Sequence, residues 1–172
     1  MAKMKQHGKR DAYTANLLIS LLIRFSEILS LNFDMPQDRC KFTFMLAGKQ
    51  NRDEATRFRK ALHDSLDTYA ELTGEAFSVE VALTTSRRLN LLELTSDTTQ
   101  LSLEAIQLIC GLVGEFFGDA LLKDAESSDS TRDEDFGRHE EIIDYLLTHS
   151  AGMRQDNLIA FREAGRVYVF DK

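Results

Sequence analysis

The sequence predicts an α+β domain in which helices pack on an antiparallel or mixed β-sheet. In several short segments apolar residues alternate with polar ones, as in strands that have one buried face. Between these segments lie longer ones whose apolar residues recur every three or four positions, as in amphipathic helices. The chain has 172 residues, and a single domain of that length buries roughly two-thirds or more of its unfolded surface. One domain from 11 to 172 is therefore expected.

A first helix is predicted from Tyr13 to Ser30, after a basic tail at 1–10 that we expect to be mobile. Leucine, isoleucine and phenylalanine occupy more of its circumference than the single apolar stripe of a surface helix. The helix is therefore either enclosed within the domain or turned in part towards a second subunit.

Strands are predicted where the alternation is clearest, at 29–33, 40–46, 77–83 and 89–95. The first two are joined by a turn that contains Pro36, the one proline of the chain. Proline suits a turn because it fixes its own φ and has no N–H to donate.

The second and third helices are delimited by capping residues at their ends, namely Asn51, Gly74, Ser102 and Gly118. Inside the third helix stand Gly111 and Gly114. Each costs about 1 kcal/mol of helix stability relative to alanine. We therefore expect another element to pack closely against them.

The segment 40–122 has the element order strand, helix, strand, strand, helix, strand, which would permit a ferredoxin-like βαββαβ core. Its last strand, at 120–122, would compete with the strand at 29–33 for the same edge. An acidic segment at about 123–135 has few apolar residues and is expected to be a flexible loop. A fourth helix at 138–150 and a C-terminal hairpin complete the prediction.

The C-terminal hairpin, 157–172, carries apolar residues on both faces. Such strands are stable only when they are covered, so the hairpin is expected to join a sheet beneath a helix, another sheet or a second chain. Its turn is flanked by charged residues that could bind an anion: Arg162, Glu163 and Arg166. The apolar first helix and this hairpin together provide the predicted interface residues, which are Leu18, Ile19, Leu22, Ile23, Tyr168 and Phe170.

The polar residues contain no motif for catalysis or for binding a cofactor. His139 and Glu140 begin like a zinc-protease helix, but the second histidine is replaced by Ile143. Glu140 and Asp144 share a helix face and could hold a metal together with His139 or with His63. Solvated charges on a helix explain these residues more simply. We expect no catalytic residue, no metal and no cofactor.

The net charge of −7 disfavours nucleic acid as a partner. The longest apolar run, Leu17 to Ile23, is far shorter than the roughly 18–20 residues that span a membrane. The N-terminus lacks the cleavage site of a signal peptide. Cys40 and Cys110 fall in a strand and a helix and are expected to be reduced thiols. These features indicate a cytoplasmic protein without a membrane partner.

The chain resembles a family of uncharacterised bacterial proteins of similar length, in the succession LLISLLIRFSEILSLNFD, KFTFML, LTSDTTQLSLEAIQLICGLVGEFFGDALL and NLIAFREAGRVYVF. The resemblance covers most of the chain and implies a cytoplasmic bacterial protein. It carries over neither an activity nor any functional residue.

These features favour a non-enzymatic domain that interacts with proteins, with a homodimer or another protein as its partner. An alternative is a small-molecule-binding protein or an enzyme with a cleft between sheet and helix. A third hypothesis is a weak RNA-binding protein that uses the basic tail and the turn at Arg87 and Arg88.

Overall fold

The computed structural model describes residues 9–48, 50–86, 89–123, 133–148 and 157–171. Within these residues the chain forms four α-helices and six β-strands. The helices are α1 (Lys9–Arg24), α2 (Arg52–Thr73), α3 (Leu103–Phe117) and α4 (Asp133–Thr148). The strands are β1 (Ile28–Asp34), β2 (Arg39–Ala47), β3 (Val79–Ser86), β4 (Leu89–Asp97), β5 (Asn157–Glu163) and β6 (Arg166–Asp171). The predicted α+β class is confirmed.

The six strands form one sheet in the order β3-β4-β2-β1-β5-β6, and every neighbouring pair is antiparallel. The register aligns Ala160, Leu31, Phe42 and Leu94 in one row across four strands. All four side chains are buried, and they belong to the same hydrophobic core as the buried helix residues. The helices therefore cover this side of the sheet, which we call the core face.

The opposite side of the sheet, which we call the open face, carries the alternate residues of each strand. On β2, for example, Lys41 and Met45 are half-buried while the intervening core-face residues are fully buried. Within the described part of the chain no helix lies over this face. The sheet is thus covered on one side, as antiparallel sheets permit.

Helix α1 lies between α4 on one side and β1, β5 and β6 on the other. This position explains its wide apolar surface, and the expectation that the helix is enclosed within the domain is confirmed. The helix ends at Arg24 rather than at Ser30 as predicted. Ile28 already belongs to β1, where a β-bulge between Ile28 and Ser30 turns it onto the core face together with Leu31.

The predicted limits of α2 and α3 are confirmed by their caps. The side chain of Asn51 accepts a hydrogen bond from the backbone N–H of Glu54 at 2.8 Å, and the Ser102 hydroxyl accepts one from Ala105 at 3.1 Å. Gly74 ends α2 with φ 74° and Gly118 ends α3 with φ 54°. Glycine adopts these positive φ values without the steric cost that a Cβ would bring.

The ferredoxin-like order is realised over three strands, which adjoin as β3-β4-β2. The predicted strand at 120–122 is reduced to one bridge between Leu46 and Leu121, beside a hydrogen bond from the Leu122 N–H to the Met45 carbonyl at 2.9 Å. It is so short because β1 occupies that edge of β2 from Arg39 to Phe44. Only the last residues of β2 remain for the second pairing.

Two segments predicted to be flexible are only partly described. Of the basic tail, residues 9 and 10 belong to α1, and 1–8 lie outside the described residues. Of the acidic segment at 123–135, residues 124–132 lie outside them, and α4 begins at Asp133.

Candidate functional site

A partly exposed apolar surface lies on the open face of β5 and β6. It consists of Ile159, Phe161, Tyr168 and Phe170, which we call the apolar patch. The register pairs Ile159 with Phe170 and Phe161 with Tyr168. The turn between the strands has φ 50° at Ala164 and φ 76° at Gly165. Two successive positive φ values are typical of a type I′ turn, which matches the twist of its strands and fixes this register.

Phe161 lies at the centre of the apolar patch and stacks on two other rings. Its ring centroid is 5.4 Å from that of Tyr168, with an interplanar angle of 22°, and 5.4 Å from that of Phe170, with an angle of 10°. Phe170 is 48% exposed, and the other members of the patch are half-buried. Three rings are thus stacked at the surface, in geometry that aromatic pairs favour.

The hairpin is fixed to α1 by Arg162, which points to the core face. Its guanidinium donates hydrogen bonds to the backbone carbonyls of Leu22, Phe25 (3.2 Å) and Ile28 (3.4 Å). These carbonyls lie at and just beyond the end of α1, where the last C=O groups of a helix have no N–H donor within the helix. The suggestion that Arg162 joins Glu163 and Arg166 in an anion site is therefore not supported. Arg162 caps the helix instead.

The predicted interface residues fall into two groups. Leu18 and Leu22 are fully buried in the core, and Ile19 and Ile23 are half-buried on α1. Tyr168 and Phe170 belong to the apolar patch. A surface contact is therefore available to the C-terminal pair, whereas Leu18 and Leu22 already pack inside the protein.

Two asparagines border the apolar patch on the open face, where Asn32 pairs with Ile159 and Asn157 with Asp34. The side-chain oxygens of Asn32 and Asn157 are buried, and neither has a hydrogen-bond partner within the described part of the chain. A buried acceptor without a donor costs about 1–3 kcal/mol. This part of the open face therefore has apolar rings beside unsatisfied acceptors.

A second surface feature is a shallow cleft of about 480 Å³ between the end of α1 and α3, which we call the polar cleft. Gly111 and Gly114 line it, and a Cβ built at either position would meet nothing within 4 Å. The prediction that another element packs closely against these glycines is wrong for the described part of the chain. They face open space, and they widen the cleft.

The polar cleft is bordered by a small network of charged groups. Arg24 contacts a carboxylate oxygen of Glu140 with two guanidinium nitrogens, each at 2.8 Å, and Gln107 donates to the same oxygen at 3.2 Å. These bonds join α1, α3 and α4 at the rim. Burial raises the pKa of the Cys110 thiol well above its ordinary value, and the nearby Glu27 carboxylate raises it further. A protonated thiol is a poor nucleophile.

The other polar candidates are placed apart. The His63 ring lies 3.4 Å from the Val79 carbonyl at the edge of β3, and Lys60 forms an exposed ion pair with Asp64 at 3.7 Å. His139 lies on α4 beside Glu140, which is paired with Arg24. Among the described residues no three His, Cys, Asp or Glu side chains are arranged to hold a metal ion. Arg87 and Arg88, named for RNA binding, lie outside the described residues.

The fold and these surfaces define an α+β domain with helices on one face of an antiparallel sheet and an aromatic patch on the other. No helix in the described part of the chain combines the length and the apolar character needed to span a membrane. Comparison of the chain with protein-family models, with curated proteins and with solved structures finds no match.

Proposed function

We propose that this protein is a non-enzymatic interaction domain that self-associates through the β5–β6 hairpin, which carries the apolar patch. The observation that carries the proposal is the surface stack of Phe161, Tyr168 and Phe170, in which Phe170 is 48% exposed. Aromatic residues are enriched in the buried centres of protein interfaces, and large contiguous apolar patches on soluble proteins mark interaction sites. In the assembled form the patch of each copy would contact that of the other.

The surroundings of the apolar patch also support an interface. Asn32 and Asn157 place polar side chains beside the apolar patch on the same face. At the turn, Glu163 is opposite Arg166 on the same face, so the rim carries both signs of charge. Apolar rings at the centre with polar and charged groups around them are typical of protein interfaces.

Sedimentation equilibrium of the wild type and of Phe170→Lys tests the proposal. In a homodimer the substitution is present in both copies, so the loss of an aromatic anchor, about 2 kcal/mol per copy, raises the dissociation constant roughly 1,000-fold. The control is Leu72→Lys, because Leu72 is 82% exposed on α2 and lies outside the patch. We expect Leu72→Lys to associate like the wild type. A wild type that stays monomeric at protein concentrations approaching about 1 mM would overturn the proposal, since any remaining affinity would be weaker than about −4 kcal/mol.

A second candidate function is binding of a polar small molecule in the polar cleft. It is favoured by Gly111 and Gly114. Glycine lowers helix stability relative to alanine, and within the described residues no side chain packs so closely that only glycine would fit at these positions. Arg24, Glu27 and Gln107 provide polar contacts around the same space. Replacing Gly111 by leucine would fill the cleft. A thermal-shift screen of charged small molecules should then give a stabilising compound for the wild type and none for Gly111→Leu.

A further inference from the structure

The two edges of the sheet are not equivalent. At the β3 edge, the Arg59 guanidinium donates to the Val81 carbonyl at 3.2 Å, and the His63 ring lies 3.4 Å from the Val79 carbonyl. Both side chains come from α2, so this helix occupies the backbone groups that a further strand would use. Covering an edge in this way protects a sheet against unintended pairing.

Among the described residues, nothing protects the β6 edge in this way. Glu163 and Arg166 close a two-residue turn, so they exchange hydrogen bonds, and the pattern then alternates along the hairpin. Tyr168 and Phe170 therefore bond to β5, whereas the N–H and C=O groups of Val167 and Val169 point away from the sheet. No side chain of the described residues bonds to these outward groups.

We propose that β6 pairs with β6 of a second copy, antiparallel about a twofold axis, so that the two sheets become one continuous sheet. This inference rests on the proposed function and specifies how the two copies meet. In an antiparallel pair, residues directly opposite each other lie on the same face. The register centred on Val169 fulfils this condition and places Tyr168 of each copy opposite Phe170 of the other. Both apolar patches then merge into one surface across the junction.

A second copy suits this edge better than an unrelated strand. A twofold axis makes the contact self-complementary, so one strand sequence supplies both sides. In the register centred on Val169, the central positions of the junction, from Tyr168 to Phe170, carry no charged side chain that would repel its counterpart. Aromatic pairs across strands also stabilise a sheet relative to pairs of alanines.

Amide hydrogen exchange measured at low and high protein concentration tests the pairing in the wild-type chain. We expect protection of the Val167 and Val169 amides to increase with concentration, because their N–H groups become bonded only in the dimer. The amides of Tyr168 and Phe170 should be protected at both concentrations, since they bond to β5. Equal exchange of Val167 and Val169 at all concentrations, in a protein that does dimerise, would overturn edge pairing.

The matched substitutions are Val167→Pro and Val167→Ala. Both remove the valine side chain, but only proline removes the outward N–H, and neither breaks a bond to β5. Two backbone hydrogen bonds per dimer are lost in Val167→Pro, so its dissociation constant should exceed that of Val167→Ala by about tenfold or more. If Val167→Pro and Val167→Ala had equal dissociation constants while Phe170→Lys still weakened association, the protein would self-associate but not by pairing of its β6 edges. A wild type that stays monomeric would contradict both the self-association and the edge pairing.

Discussion

Ala164 has a backbone conformation that alanine disfavours. Its φ of 50° lies in the left-handed region, and it is the first central residue of a type I′ turn whose second is Gly165. The pair Asn-Gly is preferred in such turns because asparagine tolerates positive φ. Replacing Ala164 by asparagine should therefore raise the free energy of unfolding by about 0.5–1 kcal/mol.

Urea unfolding of Ala164→Asn and Ala164→Val measures this effect. The valine variant is the control, since a β-branched residue fits positive φ worse than alanine does and should lower the free energy of unfolding. If valine stabilised the protein as much as asparagine, the turn would not have the type I′ conformation.

The two cysteines are held as neutral thiols. Burial raises the pKa of Cys40, and at Cys110 burial and then Glu27 raise the pKa while Arg24 lowers it. The folded protein therefore keeps both protons at a pH where the unfolded chain, with thiol pKa values near about 8.5, loses them. Since the unfolded state then binds fewer protons, these thiols reduce the free energy of unfolding as pH rises above that value.

Alkylation by iodoacetamide at pH 8, followed by mass spectrometry, should leave both thiols largely unmodified in the native protein and modify both in denaturant. Cys110 is the more informative of the two because it lines the polar cleft and is 4% exposed. Rapid native modification of Cys110, with Cys40 still protected, would mean that the cleft opens to a reagent of that size.

At the scale of the secondary-structure elements, α3 contains glycines of two kinds. Gly111 has ordinary helical φ and open space where a Cβ would stand, whereas Gly118 ends the helix at φ 54°. Gly111→Ala should therefore raise the free energy of unfolding by about 1 kcal/mol. Gly118→Ala should lower it by roughly the same amount, since alanine is strained at positive φ.

Thermal and urea unfolding of the two glycine variants provide the measurement, and each variant is the control for the other. A loss of stability in Gly111→Ala would contradict the open space at this position. It would mean that another part of the chain or a second copy packs there in solution.

The sequence predicted correctly those features that depend only on residues close together in the chain. The caps at Asn51 and Ser102 depend on hydrogen bonds to residues three positions away, and both were predicted correctly. Ile28 was assigned to the helix because its spacing fits one. Its place in β1 depends on Phe44, its partner across the bulge, which no local pattern could indicate.

The candidate surface was predicted only in part for the same reason. Tyr168 and Phe170 were named as interface residues from their position in a two-faced apolar strand. Phe161, which stacks on both, was not named, because cross-strand neighbours depend on the turn register. Leu18 and Leu22 were predicted as interface residues because they lie on a helix that is apolar around most of its circumference. The sequence does not reveal which side of that helix α4 covers.

For the whole molecule, one-sided packing and the order of the strands explain why the apolar patch is exposed. The hairpin from the C-terminus pairs with β1 near the N-terminus, and α1 covers its core face. With the helices on that side, the alternate residues of β5 and β6 necessarily face outward. Because β5 and β6 carry apolar residues on both faces, their open-face residues can be buried only by a second layer or a second copy.

The net charge of the whole chain predicts how self-association should depend on salt. Each copy carries −7, so two copies repel one another. The Debye length falls from about 30 Å at 0.01 M salt to about 10 Å at 0.1 M, and the repulsion falls with it. Stacked rings and backbone hydrogen bonds are much less sensitive to salt. The dissociation constant measured by sedimentation should therefore decrease as sodium chloride is raised over this range.

The charge variant Glu71→Gln/Glu75→Gln provides the control for this salt dependence, because both glutamates are exposed near the end of α2, away from β6. Removing two negative charges per copy should strengthen association at low salt and make the dissociation constant less dependent on salt. If salt instead weakened association of the wild type, ion pairs would dominate the contact. The rings and the β6 backbone would then contribute less to the affinity of self-association than their exposure implies.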